Sequence, residues 1–258
     1  MFLTEPPTTA YDLRFPIAGV PVRVHPMFWL AGLVMAASGG RDVTGVLIWI
    51  GVLFVSILIH ELGHAFAMRK FRESPRVVLY MMGGLAISAG GGNPLSGRSK
   101  SRNSFEQIII SAAGPAAGFL FAALIVVAVN VGGGTVKFHR PDIHEPIFWS
   151  VGKLSNPHLF YAVHDLLFVN IVWGLVNLLP VMPLDGGQIA RQLITMRDPW
   201  DGVRKSLWLS TIVAGAFAAM GVMYWGSPMV GIMFGMLAAS NYMSLQQIGG
   251  GGRGGRPW

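Results

Sequence analysis

The sequence predicts an all-α polytopic membrane protein of about six transmembrane helices, with a small membrane-associated β element between the second and third. Three observations carry this reading. Hydrophobic residues make up 52% of the 258 and charged residues only 12%, against roughly 25% charged in a soluble domain. Apolar runs recur at the length of about 20 residues that a helix needs to cross hydrocarbon. Between two of these runs, VVLYMMGGLAIS at 77–88 has strand character and a glycine pair.

Taken in order, helices are expected near 25–38, 43–69, 105–131, 160–180, 206–225 and 228–247. The first is short for a span, and the fourth is interrupted by polar groups. Residues 1–247 read as one membrane-embedded domain, because the polar stretches 69–104 and 132–159 are too short and too broken by glycine and proline to form a soluble one. Residues 248–258 read as a flexible tail, since glycine at that density cannot offset its backbone entropy by packing. The opening residues lack the basic patch and short apolar core of a cleaved signal peptide, and none is expected. The chain has no cysteine. A metal site would therefore use nitrogen and oxygen ligands.

Charge sets the expected orientation. With six crossings, fifteen of the 19 Lys and Arg fall on the side that holds both ends, and Arg41, Lys137, Arg140 and Lys153 fall opposite. Positive residues favour the cytoplasmic side, so both termini are expected in the cytoplasm, in the plasma membrane of a prokaryote. The net charge of +7 reads as this topology signal, with anionic lipid headgroups as a second use and no case for nucleic acid.

The second run ends in ILIHELGHAF. His60 and His64 are four residues apart, so both imidazoles share one helical face and can hold one ion. Glu61 stands beside them, able to reach a water on that ion without being a ligand. An ionisable residue at membrane depth costs about 2.5–3.5 kcal/mol on insertion scales. A bound cation offsets that cost for three polar groups at once.

A catalytic zinc has three protein ligands and one open position. Glu73 and Glu106 flank basic loops, Asp142, Glu145 and Asp165 belong to the opposite side, and Asp198 and Asp201 sit in a polar loop. Asp185 remains, in NLLPVMPLDGGQ, where Pro180 and Pro183 break the helix. Irregular backbone at membrane depth must be buried in protein or line a wet cavity. The competing role for Asp185 is a helix cap in a surface turn; beside an HExxH pair, the ligand role is favoured.

These motifs in this order, with IAGVPVRVHPMFWL before them and YMMGGLA and AAGPAAGF between, resemble the site-2 protease family of intramembrane zinc metalloproteases across roughly residues 17–190. The resemblance implies one zinc per chain on His60, His64 and Asp185, with Glu61 as the catalytic base and Asn177 near the site. It also implies a transmembrane protein or peptide as substrate. Asn177 suits two roles equally, an amide that stabilises an oxyanion and a structural bond to backbone freed near Pro180. The second proline of the Asn-x-x-Pro-x-Pro-x-x-Asp-Gly pattern is shifted by one, and Gly118 stands where relatives often have Asn. A substrate helix must unwind before attack, and 77–88 suits an edge that pairs with it or a hairpin that plugs the cytoplasmic mouth. The rival class is a metal carrier or channel using the same three ligands, for which Glu61 has no purpose.

Overall fold

The computed structural model describes residues 5–37, 40–81, 83–88, 103–140 and 147–250. Its contacts divide the chain into two compact units, the first made of Met1–Arg102, Ala113–His139 and Trp149–Gly174, the second of Asn103–Ala112, Arg140–Phe148 and Leu175–Trp258.

In the first unit, β1 (Leu13–Ile17) and β2 (Val20–Val24) form an antiparallel hairpin. Its two-residue turn, Ala18-Gly19, has φ of 46° and 78°, the paired left-handed conformation that matches strand twist. β2 continues in parallel pairing with β3 (Pro75–Tyr80), and β3 in antiparallel pairing with β4 (Gly83–Ser88). The expected β element is thus half of a four-stranded sheet of order β1-β2-β3-β4. The other half was hidden by Pro16, Pro21 and three arginine-or-aspartate interruptions in DLRFPIAGVPVRV, and by pairing that spans more than fifty residues of chain.

The helices α1 (Pro26–Ala37) and α2 (Val43–Lys70) supply the crossover between β2 and β3. Asp42 starts α2 by accepting the Gly45 N–H at 2.8 Å, and Arg69 and Lys70 end it with charge suited to the helix C-terminus. Val20, Val22, Val24, Val77 and Leu79 of the sheet pack on Leu58, Leu62 and Ala65 of α2. The sheet therefore covers the last turns of α2, the turns that carry His60, Glu61 and His64.

The remaining elements of this unit are most of α3 (Ser104–Val131), the hairpin β5 (Thr135–Phe138) with β6 (Trp149–Gly152), and α4 (Pro157–Leu167). Asp165 receives both Arg41 guanidinium nitrogens, at 2.6 and 3.0 Å, while that guanidinium stands 5.0 Å over the Trp49 ring. Asp165 is a partner in this ion pair, consistent with its exclusion as a ligand. A π-helical turn, Phe168–Val172, then leads into α5 (Trp173–Asn177). The polar interruption of the fourth span lies in this turn: Asn170, 3% exposed, donates to Leu166 O and to Ser56 Oγ, both at 2.8 Å.

The second unit contains α6 (Asp185–Arg197), α7 (Gly202–Met223) and α8 (Pro228–Gly250). Its core joins Val181, Ala214 and Phe234. α8 runs further than expected, through Gly250, and the rest of the expected tail lies outside the described residues.

Among the described residues, four helices are long and apolar enough to cross a membrane: Val43–Lys70, Ser104–Val131, Pro157–Asn177 and Gly202–Met223. This is an integral membrane protein, mostly helical, with small sheets. α1 is apolar but has 12 residues, and α8 has 23, with Ser240, Asn241, Ser244, Gln246 and Gln247 diluting its second half.

The sheet is braced from its outer face by the arm before β1. Arg23 is met by Asp12 at 3.1 Å, by Glu5 at 3.0 Å and by the Pro6 carbonyl at 2.9 Å. Burial pushes the Asp12 carboxyl up, but the Thr9 hydroxyl and amide and the Arg23 guanidinium outweigh it and leave the group at about 2, below its ordinary 3.8. Because the folded value lies below the unfolded one, Asp12 adds stability that is present above pH 3.8 and lost as pH falls toward 2. Thermal unfolding in detergent should therefore show Asp12→Asn clearly less stable than wild type at neutral pH, with the gap closing through that acidic window.

Candidate metal centre

The two histidines of α2 face each other with their Nε2 atoms 3.1 Å apart and ring planes at 79°. A tetrahedral zinc with bonds of about 2.0–2.1 Å holds two nitrogens at a separation of about 3.3 Å. The pair therefore fits such an ion with almost no movement. His64 is 8% exposed and Glu61 6%, so the centre is built into the protein and not laid on its surface.

Space for the pair comes from α3. A β-carbon at position 114 would overlap His64 Nε2 and lie 2.8 Å from His60 Nε2. Gly114 thus clears the volume into which both ring nitrogens point. On α2 itself, a β-carbon at Gly63 would overlap the Ala113 carbonyl and stand 2.8 Å from the Ala117 β-carbon. The glycine of HELGH and the small residues of AAGPAAG are one device that brings two helix backbones close enough for α3 to wall the imidazoles.

A third glycine serves Glu61. A β-carbon at Gly84, on β4, would overlap Glu61 Cγ and come 2.5 Å from Oε1. The glycine pair after YMM therefore lets strand β4 lie directly against the proposed base. Tyr80, which ends β3, has its phenol pushed up by burial and then by the Glu61 charge.

In the second unit, Asp185 is the first residue of α6. The N-cap position is held by Leu184, which makes no side-chain cap bond, and Asp185 follows it. The turn before it is held by residues the sequence reading did not single out. Ser210 Oγ accepts the Met182 N–H at 3.1 Å and donates to Pro180 O at 3.3 Å, while Asn241 Nδ2 donates to Met182 O at 2.8 Å. Ser210 and Asn241 are 1% and 4% exposed; each is a polar residue in an apolar helix, and that is the signal by which they can be found. Gly186 and Gly187 start α6 in contact with Leu178 and Val181, where a side chain at Gly186 would overlap the Leu178 carbonyl. Asn177 ends α5, half-buried, eight residues before Asp185. Gly118 sits beside Asn170 Oδ1, 3.4 Å from the position of a β-carbon. An Asn is thus present next to position 118, contributed by the following span.

His60 and His64 of the first unit and Asp185 of the second are residues that could hold a metal ion, each offering one ligand atom. A membrane-embedded HExxH helix roofed by a small sheet, with an aspartate behind a proline turn, defines a metallopeptidase type of centre. The profile of peptidase family M50 matches residues 48–219, more than half of the chain. The chain belongs to this family, the site-2 protease type of zinc metalloprotease. It is 24% identical to a zinc metalloprotease of Methanocaldococcus jannaschii over 191 residues, 72% of this chain and 47% of that protein. To stage IV sporulation protein FB of Bacillus subtilis it is 30% identical over 183 residues, 69% and 49%. The chain thus spans about half the length of the curated relatives it matches. The solved structure of a site-2 protease from Methanocaldococcus jannaschii has the same fold, with a TM-score of 0.51 at 20% identity, covering 92% of this chain and 94% of that one.

Gly114 gives a test that leaves every ligand in place. Gly114→Ala must displace both imidazoles, so purified variant should retain well under half of the zinc that wild type holds, measured by elemental mass spectrometry. Gly118→Ala, where the nearest atom is at 3.4 Å, should retain it.

Proposed function

We propose that this protein is an intramembrane zinc metalloprotease that hydrolyses peptide bonds of membrane-anchored substrates within or near the bilayer. The observation that carries the reading is the pair of Nε2 atoms converging beside a buried glutamate, under a strand that lies against it. His60, His64 and Asp185 would hold one zinc, which when bound would supply Lewis acidity to the scissile carbonyl and to a water molecule. Glu61 takes a proton at its carboxylate from the water whose oxygen bonds the carbonyl carbon, and delivers it to the amine nitrogen as the C–N bond breaks. The Asn177 amide is placed in the same motif as Asp185, as a donor to the oxyanion or to backbone freed near Pro180.

The substrate is a transmembrane protein or peptide that enters unwound. Among the described residues β4 pairs with β3 alone, which leaves its outer edge for an added strand. Register then follows from Gly84: a strand on that edge passes within reach of Glu61. The sheet's burial against α2 fixes where the edge runs.

The same reading makes α1 and α8 the first and last of six crossings, with both ends of this chain cytoplasmic and the site in the cytoplasmic half of the membrane. Reporter fusions after residue 40 and within 139–150 should report the outside, and fusions within 90–100 and at residue 258 the cytoplasm. An external signal from 90–100 would invert the orientation and overturn the placement of the site.

Glu61 separates a protease from a metal carrier. Glu61→Gln should retain zinc while losing cleavage of a membrane-anchored substrate in liposomes by roughly 10² or more. His60→Ala, His64→Ala and Asp185→Ala should each weaken zinc retention. Equal fragment yield from wild type and zinc-matched Glu61→Gln would remove Glu61 as the base.

A further inference from the structure

The far end of α6 and the elbow that joins it to α7 carry a surface with no part in the metal centre. Leu193, Met196 and Trp200 are 51%, 56% and 98% exposed. Leu193 and Met196 are three apart on α6, and Trp200 lies in the turn that follows Arg197. Arg197 and Arg204 are both exposed. Lys205 is engaged by Asp198 at 2.5 Å, but neither of these two arginines has an ion-pair partner among the described residues. A nearly bare indole is thus flanked by two uncommitted guanidiniums.

The elbow is an ordered piece of structure. Asp198 accepts the Asp201 N–H at 3.1 Å through its side chain and the Gly202 N–H at 2.8 Å through its carbonyl. At Gly202 the two helices meet so closely that a β-carbon would stand 2.7 Å from Thr195 Cα. Trp200 is therefore displayed on a hydrogen-bonded turn, two residues before a helix long and apolar enough to span the membrane. That covalent position fixes its surroundings at the membrane–water boundary, the level at which tryptophan is enriched. Guanidiniums at the same level meet phosphate, which they bind through paired N–H donors.

We propose that the α6–α7 elbow is a binding surface for anionic phospholipid headgroups, with Leu193, Met196 and Trp200 at the acyl boundary and Arg197 and Arg204 on the lipid phosphates. The binding itself rests only on this geometry and on the membrane-spanning α7. Its consequence rests on the proposed zinc ligation: α6 opens with Asp185, so a lipid anchor at the other end of the same 13-residue helix restrains the orientation of that ligand.

The test uses the intact protein in nanodiscs and reads neither zinc nor proteolysis, so it can fail independently of the enzymatic reading. The chain has 8 tryptophans, and subtracting the fluorescence of Trp200→Phe from that of wild type isolates Trp200. Quenching of this difference signal is compared between lipids brominated on the acyl chain, phosphatidylglycerol against phosphatidylcholine at equal mole fraction. The expected ratio is several-fold in favour of the anionic lipid. It should fall with each arginine whose charge is removed, toward unity in Arg197→Gln/Arg204→Gln. Arg197→Lys/Arg204→Lys should keep it above unity, which separates lost charge from lost structure. A ratio of one in wild type would overturn the proposal. So would the absence of quenching by either lipid, which would assign the patch to a soluble partner.

Discussion

The site depends on one close approach, that of the α2 backbone to the α3 backbone at Gly63 and Gly114. Two imidazoles cannot be turned toward a common point in a packed helical protein unless the facing helix yields the volume, and here it yields a missing side chain. Gly63 then lets the Ala113 carbonyl and the Ala117 methyl close the gap on the other side. Close packing of the two backbones positions the imidazoles. In hydrocarbon this is the economical arrangement, because close contact between small residues leaves no buried polar group without a partner.

Two further departures from regular apolar helix among the described residues are accompanied by polar side chains that satisfy them. The proline turn before Asp185 frees the Met182 amide and carbonyl, and Ser210 and Asn241 take them up. The π turn in the fourth span is closed by Asn170, which spends one N–H on Leu166 O and another on Ser56 Oγ, one helical turn before His60. Arg41 and Asp165 neutralise each other in two short hydrogen bonds. Unpaired backbone in a bilayer costs several kcal/mol per group. That cost explains why these polar residues stand in helices that are otherwise apolar.

Most of the candidate site was legible in the sequence because the chemistry proposed for it requires particular residue types at particular spacing. His60, Glu61 and His64 announce themselves by i, i+4 geometry within an apolar run, and Asp185 by the prolines that precede it. The longer helices were legible for the same reason, with bounds that differ by a few residues, whereas α6 lies in a stretch read as a connection between spans. The N-terminal hairpin was not. Its strands are five residues each, contain Pro16 and Pro21, and are completed by a parallel pairing with β3 that no local pattern reports. The glycines were visible but mute: Gly63, Gly84 and Gly114 act by what they leave empty, and emptiness has a meaning only once the neighbour is known. Asn170 and Gly118 show the converse, since the neighbourhood of position 118 does contain an asparagine, carried by a different span.

The hidden hairpin changes how β4 should be understood. A lone β3–β4 hairpin would be only marginally stable and free to shift register, and a one-residue slip would exchange its faces. Tied through β2 to α2 by Val20, Val22, Val24, Val77 and Leu79, and braced on the far side by Glu5 and Asp12 through Arg23, the sheet has one register. Gly84 is then held against Glu61 in that register. Glycine at this point admits the carboxylate to the strand, where the β-carbon of any larger residue would overlap the Glu61 side chain.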